Sequence, residues 1–143
     1  MLRRLVGSEM CIRDRLKRTI DIGADFGISP GFETEIIKYA KENKFSYIPG
    51  VSTASEIISC LKFDCKFLKL FPAEPLGGIS YLNSLSGPFP DVSFCPTGGI
   101  NSDNYLSWLS QKNVLCVGGS WIAPKNDNNY DKIKKRALEV LNN

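Results

Sequence analysis

A chain of 143 residues, 43% hydrophobic and 23% charged, has the size and balance of one globular domain that buries a core of its own. Its net charge of +3 is concentrated at the start, where Arg3, Arg4, Arg13, Arg15, Lys17 and Arg18 face only Glu9 and Asp14; the remaining body is slightly acidic, which excludes a nucleic-acid-binding surface by charge. No apolar run approaches the roughly 18 residues of a membrane helix, and the absence of histidine removes Ser-His and Cys-His catalysis, histidine-bearing zinc sites and a histidine pH switch.

In chain order, the opening MLRRLVGSEMCIRDR has neither an amphipathic period nor the apolar stretch of a secretory signal. A basic targeting or nucleic-acid arm is one reading. The other is sharper: Met10 to Arg15, MCIRDR, resembles the conceptual translation of a transposon adapter used to prepare sequencing libraries. Residues 1–15 are therefore expected to be a non-native leader and 16–143 the domain.

Beyond residue 19, β-rich runs that end in Gly or Pro alternate with helix-like segments. A strand over 26–29 closes at Pro30 and Gly31, and 33–43 reads as a helix with Ile36, Ile37 and Ala40 on one side. A strand over 45–48 closes at Pro49 and Gly50, and Ser52 or Thr53, with Ser55 and Glu56, suits the start of a helix near Ala54. A third strand over 67–71 stops at Pro72, followed by a short helix over 77–84. A fourth over 93–95 ends at Pro96, Thr97, Gly98 and Gly99, and Asn101 or Ser102 caps a helix through Leu109. A fifth over 114–117 ends at Gly118 and Gly119, and 130–141 is the last helix. Trp108 and Trp121 read as core packing, and 127–129 as a solvated turn.

Strands each followed by a helix, at a repeat of roughly 20 to 25 residues, are the sequence form of parallel βα units. Right-handed crossovers put the strand ends on one common face. The class is α/β, as an open doubly wound sheet or as a (β/α)8 barrel. A full barrel takes about 250 residues, so length alone favours the open sheet.

The chemistry converges on the strand ends. Alternation places Phe67, Lys69 and Phe71 on one face of the third strand and Leu68 and Leu70 on the other. A lysine between two phenylalanines is poorly solvated, which favours the neutral amine, a nucleophile toward ketones. The alternative is an edge-strand lysine that snorkels to water. Lys62 and Lys66, before the strand, suit that blander role. The pairs Gly98–Gly99 and Gly118–Gly119, with Thr97 and Ser120 beside them, follow successive strands. Each alone suits a tight turn; together they suit one anion site built from backbone N–H groups. The five cysteines are odd in number and form no CxxC pair, which fits reduced, buried thiols in a cytoplasmic protein.

Five blocks, IGADFGISPGF, IPGVSTASEI, LKLFPAEPLGG, GPFPDVSFCPTGGINSDNY and VLCVGGSWIAP, resemble in order and spacing the 2-dehydro-3-deoxy-6-phosphogluconate aldolases, which also act as 4-hydroxy-2-oxoglutarate aldolases. The resemblance runs from about Ile20 to Pro124. It implies a (β/α)8 barrel of the TIM family, here incomplete, with about five βα units matching strands four to eight. By the same resemblance Lys69 matches the Schiff-base lysine, and Thr97 a substrate-contacting threonine. Gly98, Gly99 and Ser120, with Gly119 beside them, match the phosphate-binding positions, and Pro30 and Phe71 line the pyruvate pocket. It further implies a homotrimer, a phosphorylated keto acid as substrate, and no metal or organic cofactor. The family's catalytic glutamate, a substrate-binding arginine and a further threonine belong to the first three strands. Neither Glu56 nor Glu74 sits at the matching position, so neither is expected to be the base, and this chain alone is expected to be inactive. The competing readings are a non-catalytic phosphate-binding fragment and a phosphate-binding barrel enzyme without Schiff-base chemistry.

Overall fold

The computed structural model describes residues 13–141. Short β-rich runs pair in parallel, and the amphipathic stretches between them form helices: α1 (Arg13–Asp21), β1 (Phe26–Ile28), α2 (Thr34–Glu42), β2 (Ser46–Ile48), β3 (Gly50–Val51), α3 (Ala54–Leu61), β4 (Phe67–Leu70), α4 (Gly78–Ser86), β5 (Ser93–Pro96), α5 (Tyr105–Leu109) and α6 (Tyr130–Leu141). Apolar spacing explains α2, whose buried side is Ile36, Ile37 and Ala40. Capping explains where α3 begins. Thr53 is the N-cap, and Glu56 closes a capping box by accepting from the backbone N–H of Thr53 at 2.8 Å.

The strands lie side by side in chain order. β1 pairs with β2, with Phe26 opposite Ser46 and Ile28 opposite Ile48. The expected second strand does not close at Pro49: the chain passes through this buried proline into β3, which pairs with β4 instead. Ser29 donates to the Ile48 carbonyl on one side of the proline, and Lys69 donates to the Pro49 carbonyl at 2.9 Å on the other. Proline offers no N–H, so the run changes neighbour there without leaving a donor unpaired. β4 and β5 form the longest ladder, from Phe67 opposite Ser93 to Leu70 opposite Pro96.

The expected fifth strand over 114–117 is not a strand. Two isolated parallel bridges remain, Phe94 with Val114 and Thr97 with Gly118. Phe94 donates to Asn113 and accepts from Leu115 as a parallel ladder requires, but Pro96 has no N–H to continue it, and Gly118 donates to the Pro96 carbonyl one residue later than regular pairing would place it. The helix expected from Asn101 or Ser102 starts only at Tyr105. Asn104 holds the N-cap position without a side-chain cap; its Oδ1 accepts from the Asn101 amide at 2.8 Å instead. Helix α1 was not expected; it seats Leu16, fully buried, against Ile36 and Ala40 of α2. Of the expected leader, residues 1–12 lie outside the described residues.

The main core fills the space between β3–β4–β5 and the helices, with Val51, Ile57, Leu68, Leu70, Leu82, Phe94 and Trp108 all buried. Trp121 stacks on Tyr105, ring centroids 5.9 Å apart. No helix among the described residues is long and apolar enough to cross a membrane.

Candidate active site

Strand alternation sends Leu68 and Leu70 into the core and Lys69 to the opposite face of β4. Its neighbours across the sheet are Gly50 on β3 and Cys95 on β5, both small. The ammonium nitrogen lies 4.8 Å from the centre of the Phe71 ring, and the residue is only 4% exposed. The stem is enclosed, and the amine keeps only slight contact with water. Among the described residues its side chain makes no hydrogen bond or ion pair, and burial pushes its pKa below 10.5, with the negative charge of Cys95 acting the other way.

Cys95 is the neighbour that sequence reasoning passed over. The thiols of Cys95 and Cys116 interact across the irregular edge. That contact holds the Cys95 thiol down against the opposing effect of burial, and with Thr97 and Lys69 brings it to about 7. The same contact, with burial, pushes Cys116 up. The Thr97 hydroxyl lies 3.9 Å from the Cys95 sulfur and 3.4 Å from the Cys95 carbonyl oxygen. Lys69, Cys95 and Thr97 thus lie on one face at one end of the sheet, a convergence set by register and invisible in a linear reading.

The glycine turns close this end. Gly98 and Gly99 sit at φ +95° and +86°, in the left-handed region, and a Cβ on Gly98 would lie 3.2 Å from the Phe71 ring. The Thr97–Gly118 bridge sets the second turn beside the first, and a Cβ on Gly119 would meet the Ile100 carbonyl at 2.9 Å. Among the described residues, the backbone N–H groups of Gly98, Gly99, Ile100, Gly119 and Ser120 donate to no acceptor. Ser120 is exposed. Pro30 joins from the end of β1: its carbonyl packs so closely on Gly50 that a Cβ there would fall 2.3 Å from the oxygen.

Both nearby carboxylates are committed. Glu56 binds the Ser52 and Thr53 amides and hydroxyls; burial raises its pKa, but these bonds outweigh it and hold the carboxyl below 4.5. Glu74 accepts from the Trp108 indole at 2.7 Å and from Asn104 at 3.2 Å. No group of three or more Cys, Asp or Glu side chains among the described residues is placed to hold a metal ion.

The model of the family described as KDPG and KHG aldolase matches residues 5–136. A relative from Escherichia coli K12, "KHG/KDPG aldolase", is 43% identical over 130 residues, covering 89% of this chain and 61% of its own length. The 2-dehydro-3-deoxy-phosphogluconate aldolase of Dickeya dadantii is 43% identical over 122 residues, 83% of this chain and 57% of the relative. This chain therefore spans about three fifths of these relatives. Among solved structures, the KDPG aldolase of Legionella pneumophila with pyruvate captured as a covalent carbinolamine superposes with a TM-score of 0.87 at 39% identity, over 93% of this chain and 66% of that one. The enzyme of Zymomonas mobilis with 3-phosphoglycerate gives 0.85 at 34% identity, over 92% and 62%.

Proposed function

The chain belongs to the KDPG and KHG aldolase family, and from that premise we propose that it carries the Schiff-base half of a class I aldolase cleaving 2-dehydro-3-deoxy-6-phosphogluconate, and also 4-hydroxy-2-oxoglutarate, to pyruvate and an aldehyde. The observation that carries the reading is the buried, unpaired amine of Lys69. Carbinolamine capture in the Legionella relative supports it.

In the complete site, the neutral amine attacks the C2 carbonyl carbon, and loss of water with uptake of one proton leaves an iminium. A base removes the C4 hydroxyl proton, the C3–C4 bond breaks, and its electron pair passes into the iminium to give an enamine. The aldehyde departs, C3 is protonated, and water releases pyruvate from Lys69. Each step uses side chains and water, so the scheme calls on no metal or organic cofactor. Phe71 and Pro30 form the apolar wall for the pyruvyl half, Thr97 contacts the substrate beside the lysine, and Gly98, Gly99, Gly119 and Ser120 take the phosphate. The free N–H groups of the two turns support that last assignment. The 3-phosphoglycerate bound by the Zymomonas relative agrees with it in kind.

The finer fold is a barrel arc matching strands four to eight. The parallel order β1, β2–β3, β4, β5, with 114–118 beyond, supports it, since the order never reverses as it does in a doubly wound sheet. A homotrimer in the cytoplasm is part of the same proposal, as is a leader over 1–15 followed by the aldolase segment 16–143. Deletion of residues 1–15 is expected to leave the melting temperature essentially unchanged, and a fall of several degrees would overturn that boundary.

With Glu56 and Glu74 committed, the described residues supply no carboxylate that acts on Lys69. Imine formation without efficient cleavage is therefore expected of this chain alone, because a positioned base contributes about a hundred-fold to ten-thousand-fold in rate. The test is incubation with pyruvate and borohydride, then peptide mass mapping. The adduct is expected on Lys69 and lost in Lys69→Met; labelling at Lys62 or Lys66 would refute the assignment.

A further inference from the structure

We infer that Glu74 is a positioning residue that, through Asn104 and Trp108, sets the peptide planes of the Gly98–Ile100 turn against a bound phosphate. The inference rests on the reading that the glycine turns hold the phosphate, and it gives a role to a carboxylate that the aldolase chemistry leaves unused.

A trans peptide points its C=O and N–H in opposite directions, so fixing a carbonyl fixes the N–H of the next residue. Three successive carbonyls are fixed here. Ala73 donates to the Thr97 carbonyl at 2.8 Å and Glu74 to the Gly98 carbonyl at 3.0 Å. The Asn104 side-chain amide donates to the Gly99 carbonyl at 3.1 Å. All three carbonyls face the 73–74 stretch and Asn104, so the N–H groups of Gly98, Gly99 and Ile100 face away from it. None of the three donates to an acceptor among the described residues. Consecutive free amides on left-handed backbone form a concavity suited to an anion.

The third plane depends on the Glu74 side chain. Its Oε1 accepts from the same Asn104 nitrogen at 3.2 Å and from Trp108 Nε1 at 2.7 Å. Trp108 is fully buried and serves as the fixed point. Asn104 is thereby drawn away from capping α5 and held on the turn, with its Oδ1 accepting from the Asn101 amide at 2.8 Å. The Glu74 stem also fills the space beneath the turn, since a Cβ on Gly99 would fall 2.5 Å from Glu74 Cβ. Every interaction asks Glu74 for an acceptor oxygen and a stem of its length, and none asks for its charge.

The test titrates inorganic phosphate into the chain and follows the amide nitrogens of Gly98, Gly99 and Ile100 by NMR, with borohydride trapping of pyruvate at Lys69 as the parallel readout. Glu74→Ala and Asn104→Ala are expected to weaken phosphate about tenfold, the worth of one lost hydrogen bond, while trapping falls several times less. Glu74→Gln keeps an acceptor oxygen and is expected to restore affinity to within about threefold of the unchanged chain. Should Glu74→Ala fail to fold, Asn104→Ala and Glu74→Gln carry the comparison. Phosphate affinity unchanged in Asn104→Ala, Glu74→Gln as weak as the alanine variant, or phosphate binding and trapping falling together would each overturn the proposal. Absence of saturable amide shifts in the unchanged chain overturns both the phosphate site and this role. The expected variant pattern without trapping supports this role and overturns the Schiff-base reading alone.

Discussion

Two glycine pairs end the last two β segments, and they are glycine for different reasons. Gly98 and Gly99 follow β5, which has a full ladder with β4, and both need the left-handed backbone that lets the turn present its amides. Gly118 and Gly119 follow a segment held by two bridges, and neither has positive φ. Their constraint is space: a Cβ on Gly118 would fall 2.6 Å from the Thr97 hydroxyl, and one on Gly119 would lie 1.8 Å from the Trp121 ring. Identical dipeptides thus report conformation together with close packing in one turn and close packing alone in the other. The segments before them also differ, since Phe94 is fully buried while Leu115 is 64% exposed.

The contrast between the two segments should yield the largest effect. Phe94→Ala empties a closed core position and is expected to cost about 3 to 5 kcal/mol, whereas Leu115→Ala should stay within about 0.5 kcal/mol; denaturant melts of the two would break the comparison if the losses were equal. Gly119→Ala comes next. Its methyl must displace the Trp121 ring, at about 1 to 3 kcal/mol of overpacking, and the quenched or shifted tryptophan fluorescence should reveal the displacement. Gly98→Ala is expected to cost about 1 to 2 kcal/mol through left-handed strain. A D-alanine placed there by chemical ligation relieves that strain and should recover much of the loss, whereas D-alanine at Gly119 should recover little.

The smallest effect is one of pH. Pyruvate trapping requires the neutral amine, so its rate should rise with pH, with a midpoint below lysine's ordinary 10.5. Because the negative charge of Cys95 favours the ammonium, Cys95→Ala should move that midpoint to still lower pH; a shift to higher pH would show that the two groups do not interact as described.

Much of this was legible in the residues. Apolar spacing marked α2, the Thr53 and Glu56 pair marked the start of α3, and alternation in KFLKLF separated Lys69 from the core leucines, because helices and strands each impose a local period on side-chain direction. The family blocks also named the glycine turns. Other features were hidden because their causes lie outside the local sequence. VLCV is β-rich, yet it forms no strand, since its ladder depends on a donor that Pro96 cannot supply. Asn101 does accept from the Asp103 amide at 2.8 Å in the manner of a cap, yet regular helix begins only at Tyr105, after a turn whose Asn104 amide reaches Gly99 and Glu74.

The sequence by itself determined the α/β class, the place of Lys69 on a strand face away from the core leucines and the two glycine turns, because period and backbone freedom are properties of short stretches. Only the tertiary structure decided that Lys69 is almost wholly buried beside Cys95, that Cys95 and Cys116 interact, and that the Glu74 carboxylate accepts from Trp108 and Asn104. Each of those depends on which residues strand register and helix packing bring within a few ångströms, and residues 26, 30 and 34 positions apart meet there for no reason a linear pattern records.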